Sequence, residues 1–480
     1  MKTETKTTAL KDEAKPALLP KLRFPGFSAP WAYEPLSKVL KEHKLKNADG
    51  RDVFSVSMEY GIVNQIELLG RSFAAADTSH YTIGRRYDVV YTKSPLKAFP
   101  FGIVKQCKFD GEVALSPLYG VFTPPNPHLG LMIEAYFESP NRSKDFLSPL
   151  CQKGAKNTLQ ITNTTFLSGR LPLPTEPAEQ QKIAECLSSV DELMAAQARK
   201  VDALKTHKKG LLQKLFPPVK VSANENSEVR SEAKKIKNIE ERSEKGSESF
   251  SIQNSNFSIP SLRFPEFQNA EEWQRMSIQE MIDKRFIVGH LDGNHGELYP
   301  KAEEFSQNKE GIPYITANDF MNGSVEFSRC KRLPIERARL FKKGVAKDGD
   351  ILFAHNATVG PVAKLNTTEE FVILSTTATY FRCNDKHLSN DFLQAALSSP
   401  DFVAQYSRVM SQSTRNQVPI TTQRKLELHV PKPPEQQRIA TCLSSLDALI
   451  TAETQKHEAL KTHKKGLMQQ LFPSPEEVEA

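Results

Sequence analysis

A few polar clusters in this chain have the residue types and spacing that chemistry requires. His290, Asp292 and His295, in the turn Gly289-His290-Leu291-Asp292-Gly293-Asn294-His295-Gly296, are ligating types, but no third strong ligand joins the two histidines and one aspartate, so no metal site is expected. His207 and His463 each sit in Leu-Lys-Thr-His-Lys-Lys, where a solvated, helix-terminal role is expected rather than proton transfer. Thr123-Pro124-Pro125-Asn126-Pro127 echoes the Asn/Asp-Pro-Pro-aromatic motif of adenine methyltransferases only superficially. GxxxxGK[ST] is absent, and so are a glycine-rich cofactor loop after a strand and a convincing Asp…Glu-x-Lys nuclease cluster. The expectation is a chain without catalytic residues of its own.

Another kind of chemistry is represented better. Base-edge readers use Arg or Lys for guanine and Asn or Gln for adenine, while most other contacts to a duplex go to phosphate. Those types gather in Lys153-Gly154-Ala155-Lys156-Asn157 and in Arg415-Asn416-Gln417, at comparable distances before two long helical segments. Arg85 and Arg86, after Gly84, and Asn294 and His295 are further candidates for contact with DNA.

The elements that would position these loops are spelled twice. Glu179–Pro217 and Glu435–Pro473 match without a gap at an offset of 256 residues, with about two-thirds of the positions identical. Apolar residues recur on a 4-then-3 spacing at Ile183, Leu187, Val190, Met194, Val201, Leu204, Leu211 and Leu215, and again at Ile439, Leu443, Leu446, Ile450, Leu460, Leu467 and Leu471. This spacing is a coiled-coil seam, and Gln197, Lys208, Glu453, His457 and Lys464 interrupt it with polar groups of the sort that select register. Each helix starts after a proline-rich stretch and ends at Phe-Pro. At ~1.5 Å per residue it is roughly 55 Å long. The expectation is that the two pack on each other, antiparallel, as an internal spacer; the alternative is two ordinary core helices in separate domains.

A second pair of motifs, Leu22-Arg23-Phe24-Pro25-Gly26-Phe27 and Leu262-Arg263-Phe264-Pro265-Glu266-Phe267, repeats at an offset of 240, each followed by a tryptophan, Trp31 or Trp273. The order is opening motif, variable region, repeated helix, and then all three again. Boundaries are placed at 1–20 (disordered tail), 21–174 and 261–430 (variable domains), 175–217 and 431–473 (helices), 218–260 (polar linker, helical around Ser231–Arg242) and 474–480 (tail). Strands are expected at Val53–Ser57, Val89–Tyr91, Gly102–Gln106, Ala114–Val121, Ile312–Thr316, Asp350–Ala354, Pro361–Leu365 and Ala378–Arg382, and helices at Ser143–Leu150 and Asn390–Ser398. The class is α+β or α/β, with two globular domains of unlike sequence.

The 480 residues carry 39% hydrophobic and 25% charged side chains, as an ordinary globular protein does. No run of 18 apolar residues and no signal-peptide core appears, so the expected compartment is the cytoplasm. Six cysteines, at 107, 151, 186, 330, 383 and 442, form no CxxC pair. A net charge of +7 is compatible with a nucleic-acid partner.

Taken together, the paired LRFPxF…W openings, the paired EQQ(K/R)IA helix starts and the paired LKTHKKGL(L/M)QxLFP ends resemble the DNA-specificity subunit of Type I restriction-modification systems. Asp292–Gly296 with Tyr299-Pro300, and Gly349-Asp350-Ile351-Leu352 leading to Thr358-Val359-Gly360, look like that family's target-recognition segments. The resemblance covers all but the tail and linker, and that linker is long for the family. It implies two target-recognition domains, each reading half of a bipartite, asymmetric double-stranded DNA site. It also implies helices that set the spacer and hold two modification (methyltransferase) subunits, with restriction subunits joining. S-adenosylmethionine, ATP and Mg would belong to those partners, not to this chain. Two other readings stay open: a stand-alone tandem DNA-binding regulator of a split site, and a self-contained methyltransferase.

Overall fold

A computed structural model describes residues 18–153, 159–217, 257–293, 298–306, 310–411 and 415–473. They form two compact units, one of residues 1–199 with 454–480 and one of residues 200–453. The division passes through both repeat helices, Pro177–Leu215 and Pro433–Leu471.

In the first unit, one four-stranded sheet runs Lys41–Glu42, Gly120–Thr123, Val89–Thr92, Ile103–Gln106. A second runs Gly61–Asn64, Val53–Ser57, Glu112–Leu115, Thr82–Arg85, with one parallel pair, Val53–Ser57 on Glu112–Leu115. The second unit has the same plan. Ile287–Asp292, Ala378–Cys383, Ile351–Asn356 and Thr358–Lys364 are neighbours in one sheet, which Ser324–Val325 and Phe320–Met321 extend. Lys331–Leu333, Ile312–Ile315, Val372–Leu374 and Val345–Ala346 form the other, again with its inner pair parallel. Val89–Thr92 and Ile351–Phe353 are buried throughout, which explains their unbroken apolar composition: a strand covered on both faces need not alternate.

The sheets are mainly antiparallel, which favours α+β over α/β. Several boundaries move. The single strand expected at Ala114–Val121 is two, Glu112–Leu115 and Gly120–Thr123, in different sheets with a turn at Ser116–Tyr119 between them. The helix expected at Ser143–Leu150 spans Pro140–Leu147, because Ser139 caps it and Pro140 supplies its first turn. Helices Pro127–Phe137 and Pro400–Ser411 were not expected. Leu18, assigned to the tail, accepts a backbone hydrogen bond from Trp31, and Phe257–Ser258, assigned to the linker, pairs with Trp273-Gln274. The helical stretch expected at 231–242 lies outside the described residues.

Each unit's core holds the start of one repeat helix and the end of the other. In the first unit Ile183 and Leu187 share a cluster with Met468, Leu471 and Phe472. In the second, Ile439 and Leu443 share one with Leu212, Leu215 and Phe216. The helix segments are antiparallel within each unit: where numbering rises from Lys200 to Lys208, their ion-pair partners fall from Glu453 to Asp447. In the first unit Lys464 meets Asp191 at 2.8 Å. The pairs Lys464–Asp191 and Lys208–Asp447 occupy identical repeat positions, so the lysines that interrupt the seam fix its register. The seam residues differ in depth. Val190, Val201, Ile439 and Leu443 are buried, whereas Met194, Leu204, Leu446, Ile450 and Leu460 are half-buried. At the helix ends Leu212 and Met468 are buried and Leu211 and Leu467 half-buried, because there the globular core covers a second face.

Phe472 makes edge contacts with Trp31 and Tyr136 at 6.2 and 5.8 Å between ring centres. Phe216 does the same with Trp273 at 6.0 Å. Removing a buried phenylalanine costs ~3–5 kcal/mol. Phe472→Ala is therefore expected to lower the unfolding transition of the first unit by that amount and leave the second unit unchanged, as followed by hydrogen exchange in denaturant.

Candidate nucleic-acid interface

The repeated motifs are joints. Arg23 donates from Nε and an Nη to the two carboxylate oxygens of Glu179 at 2.7 and 2.8 Å, and Arg263 does the same to Glu435 at 2.7 and 2.7 Å. Both glutamates lie in the first turn of a repeat helix and are buried. Each arginine also donates to backbone, Arg23 to Ala29 and Arg263 to Ala270 and Glu271. The next residue of each helix, Gln180 or Gln436, donates at 2.8 Å to the carbonyl of Pro174 or Pro431. The opening motif is thus tied to the helix start that closes its own domain. The amides of Leu22 and Leu262 tie it to the other helix as well, donating to the carbonyls of Gln470 and Lys214.

Thr123-Pro124-Pro125-Asn126-Pro127 is also a joint. Asn126 caps Pro127–Phe137 by accepting from the Leu129 amide at 2.8 Å and donates to Gln180 at 2.9 Å.

The candidate contact residues fall differently. Arg85 and Arg86 are exposed and each already engages a carboxylate, Arg85 with Glu112 at 3.1 Å and Arg86 with Asp110 at 3.0 Å. Hydrogen bonds from Arg85 and Arg51 hold the Glu112 carboxyl below its ordinary range. Pairs this exposed are weak because water screens them, so a phosphate could compete for them. Lys153 lies in the short strand Gln152–Lys153. Lys156, Asn157, Asn294 and His295 lie outside the described residues. Arg415 and Asn416 are exposed and Gln417 half-buried. Asn416 donates from Nδ2 to the carbonyl of Ala357 at 2.9 Å, and Gln417 bridges to Asn356. This brings Arg415–Gln417 against the tip of the hairpin formed by Ile351–Asn356 and Thr358–Lys364.

His290 is buried under Phe381, and its Nε2 donates to Gln423 at 3.2 Å. Among the described residues no three ligating side chains converge. Burial, more than nearby Arg424, pushes His290 down to about 4, and burial followed by Arg275 does the same to His429.

The repetition of surface residues such as Leu-Lys-Thr-His-Lys-Lys-Gly is legible in the sequence, but the full course of a second stripe on each repeat helix is not. Ser189, Leu193, Ala196, Lys200, Ala203 and His207 follow a 4-3-4-3-4 spacing and are all exposed. Their counterparts 256 residues on, from Ser445 to His463, are identical in type and also exposed. Among seam positions, by contrast, Val190, Met194, Gln197 and Val201 face Leu446, Ile450, Glu453 and His457 in the other copy. This exposed stripe is therefore matched at every position, whereas the middle of the seam is not. Comparing identity along each periodic face separately would have found it.

Residues 270–462 match the family model described as Type I restriction modification DNA specificity domain. The chain is 24% identical over 317 residues to the type I restriction enzyme MjaVIII specificity subunit of Methanocaldococcus jannaschii, a span of 65% of this chain and 63% of the relative. A further relative from that organism is 25% identical over 326 residues, 67% of this chain and 62% of its own length. The match thus spans less than two-thirds of these relatives. The crystal structure of a Type-I restriction-modification S subunit from M. genitalium superposes with a TM-score of 0.52 at 14% identity, over 95% of this chain and 99% of that one. Residues 270–462 thus resemble a Type I DNA specificity domain, and the superposition shows that the chain shares the fold of that S subunit. Among the described residues no helix is long and apolar enough to cross a membrane.

Glu435→Gln leaves Arg263 buried with one charge unmatched, and breaking such a pair costs ~3–5 kcal/mol. The expected result is a loss of that size in the second unit, read by chemical denaturation. The two histidines add a pH dependence. Below an unfolded pKa near 6.5 the unfolded state takes up protons that the folded state refuses until about 4. Stability of the second unit should therefore fall as pH drops from 6.5 to 4 and level off below. His429→Phe should flatten that slope in melting curves taken across the range.

Proposed function

We propose that this chain is the sequence-reading, non-catalytic subunit of a Type I restriction-modification complex. The target-recognition domains are residues 21–174 and 261–430, and each reads one half of a bipartite, asymmetric double-stranded DNA site. The repeat helices set the unread spacer and dock two methyltransferase subunits, with the ATP-dependent restriction subunits joining that assembly. S-adenosylmethionine, ATP and Mg act in those partners.

The observation that carries the reading is the contrast between heads and rods. The two domains share a strand plan but not their surface residues, as two readers of different base sequences would. The exposed helix stripe, in contrast, is identical in both copies, and apart from Lys200, which pairs with Glu453, packing within the chain does not require it. Two copies of one partner do require it. A stand-alone regulator would bind its split site with no use for matched external stripes. Major-groove faces recur about every 34–36 Å along a duplex, within the reach of helices roughly 58 Å long. Arg85, Arg86, Lys153, Lys156, Asn157, Asn294, His295, Arg415, Asn416 and Gln417 remain the proposed DNA contacts.

Leu193 and Leu449, 57% and 42% exposed, are the apolar members of the stripes. The double variant Leu193→Glu with Leu449→Glu should keep its melting temperature and lose at least tenfold in co-purification of the methyltransferase subunit. Unchanged co-purification would remove the stripes from that role.

A further inference from the structure

The two domains can be aligned strand by strand, and one connection differs sharply between them. In the first unit, Val89–Thr92 and Ile103–Gln106 are joined by residues 93–102, with Leu96 and Phe99 exchanging backbone hydrogen bonds at 3.0 Å. In the second, the equivalent strands Ile351–Asn356 and Thr358–Lys364 are joined by Ala357 alone. These strands occupy the same places in their sheets, yet their tips have nothing in common in length or sequence.

Ala357 has φ +64°, a conformation that alanine adopts at a cost and that persists only where the surroundings enforce it. Here they do. The Ala357 amide donates to the carbonyl of Asn416 at 3.1 Å, and Asn416 Nδ2 returns a bond to the Ala357 carbonyl at 2.9 Å. Behind them the Val418 amide donates to His355 at 2.8 Å, and the Val418 carbonyl accepts from Gln423 Nε2 at 2.9 Å. Gln423 is fully buried, donates also to Thr379 at 3.1 Å and accepts from His290 Nε2. Exposed residues Ala357, Thr358, Arg415 and Asn416 therefore stand on a hydrogen-bonded foundation that fixes hairpin and loop together.

We propose that this hairpin tip is the base-reading element of each domain. In the second unit, the Asn416–Ala357 clasp holds Arg415 and Thr358 as one rigid edge against the base pairs of its half-site. The inference rests on the DNA-reading function above and adds which part of the domain reads. A two-stranded ribbon fits the major groove, where arginine can take guanine and the threonine methyl can meet thymine. Pre-ordering the edge avoids ordering it on binding. A long connection in one domain and a one-residue tip in the other would read different bases from the same frame.

The test uses the full chain co-expressed with its methyltransferase partner, with the methylated motif read by single-molecule sequencing and the melting temperature of the purified complex measured in parallel. Arg415→Ala and Asn416→Ala are expected to keep the melting temperature within about 2 °C. They should lower methylation at least fivefold, or relax the base requirement, in one half-site only. Unchanged requirements in both half-sites, changes in both halves at once, or a loss that tracks a lowered melting temperature would overturn the assignment. A wild-type complex with no two-part motif would instead overturn the function on which it rests.

Discussion

The structure depends on an exchange of helix ends. Neither globular half closes its hydrophobic core with its own contiguous sequence: the first needs Met468, Leu471 and Phe472, and the second needs Leu212, Leu215 and Phe216. Apolar burial supplies the affinity, at about 1.5–3 kcal/mol for each large side chain, but it is not directional. Direction comes from the ion pairs, Lys464 with Asp191 in one unit and Lys208 with Asp447 in the other, which admit one antiparallel register. The first unit adds a buried cluster in which Lys464 and Lys105 meet Glu138. Burial opposes the charge on Glu138, yet the two lysines hold its carboxyl below the ordinary range.

This arrangement separates the residues that build the frame from those that vary on the domain surfaces. Frame residues are shared between the halves because they make the same joints twice: Arg23 to Glu179 and Arg263 to Glu435, Trp31 on Phe472 and Trp273 on Phe216. Head surfaces are free to differ because the strand plan asks only for apolar residues at buried positions. Val89-Val90-Tyr91 and Ile351-Leu352-Phe353 satisfy it equally. A chain built this way can change the surface of one domain while keeping the joints that both copies repeat.

How much could be read from sequence follows from how local each signal is. The repeat helices were legible because a 3.5-residue seam, proline starts and Phe-Pro ends are all contained in one stretch. Strands such as Val53–Ser57 were legible for the same reason. The division of Ala114–Val121 between two sheets was not, since only tertiary pairing separates Glu112–Leu115 from Gly120–Thr123. Thr123–Pro127 echoes a catalytic motif only superficially, and the partners of Asn126, the Leu129 amide and Gln180, give it the role of a cap and a joint. The proposed reading edge was only half legible. Residue type singled out Arg415–Gln417, but the hairpin that holds them is 59 residues away from Asn416 in sequence, and nothing about Ala357 as a residue type announces a left-handed turn.

The most direct test of the exchanged ends is hydrogen exchange on a chain truncated after Glu453. If the first unit borrows its core from the second helix, amides of Val89–Thr92 and Pro127–Phe137 lose protection while those of Ile351–Asn356 keep theirs, although the cut lies far closer in sequence to the latter. Full protection of Val89–Thr92 in the truncated chain would contradict the account.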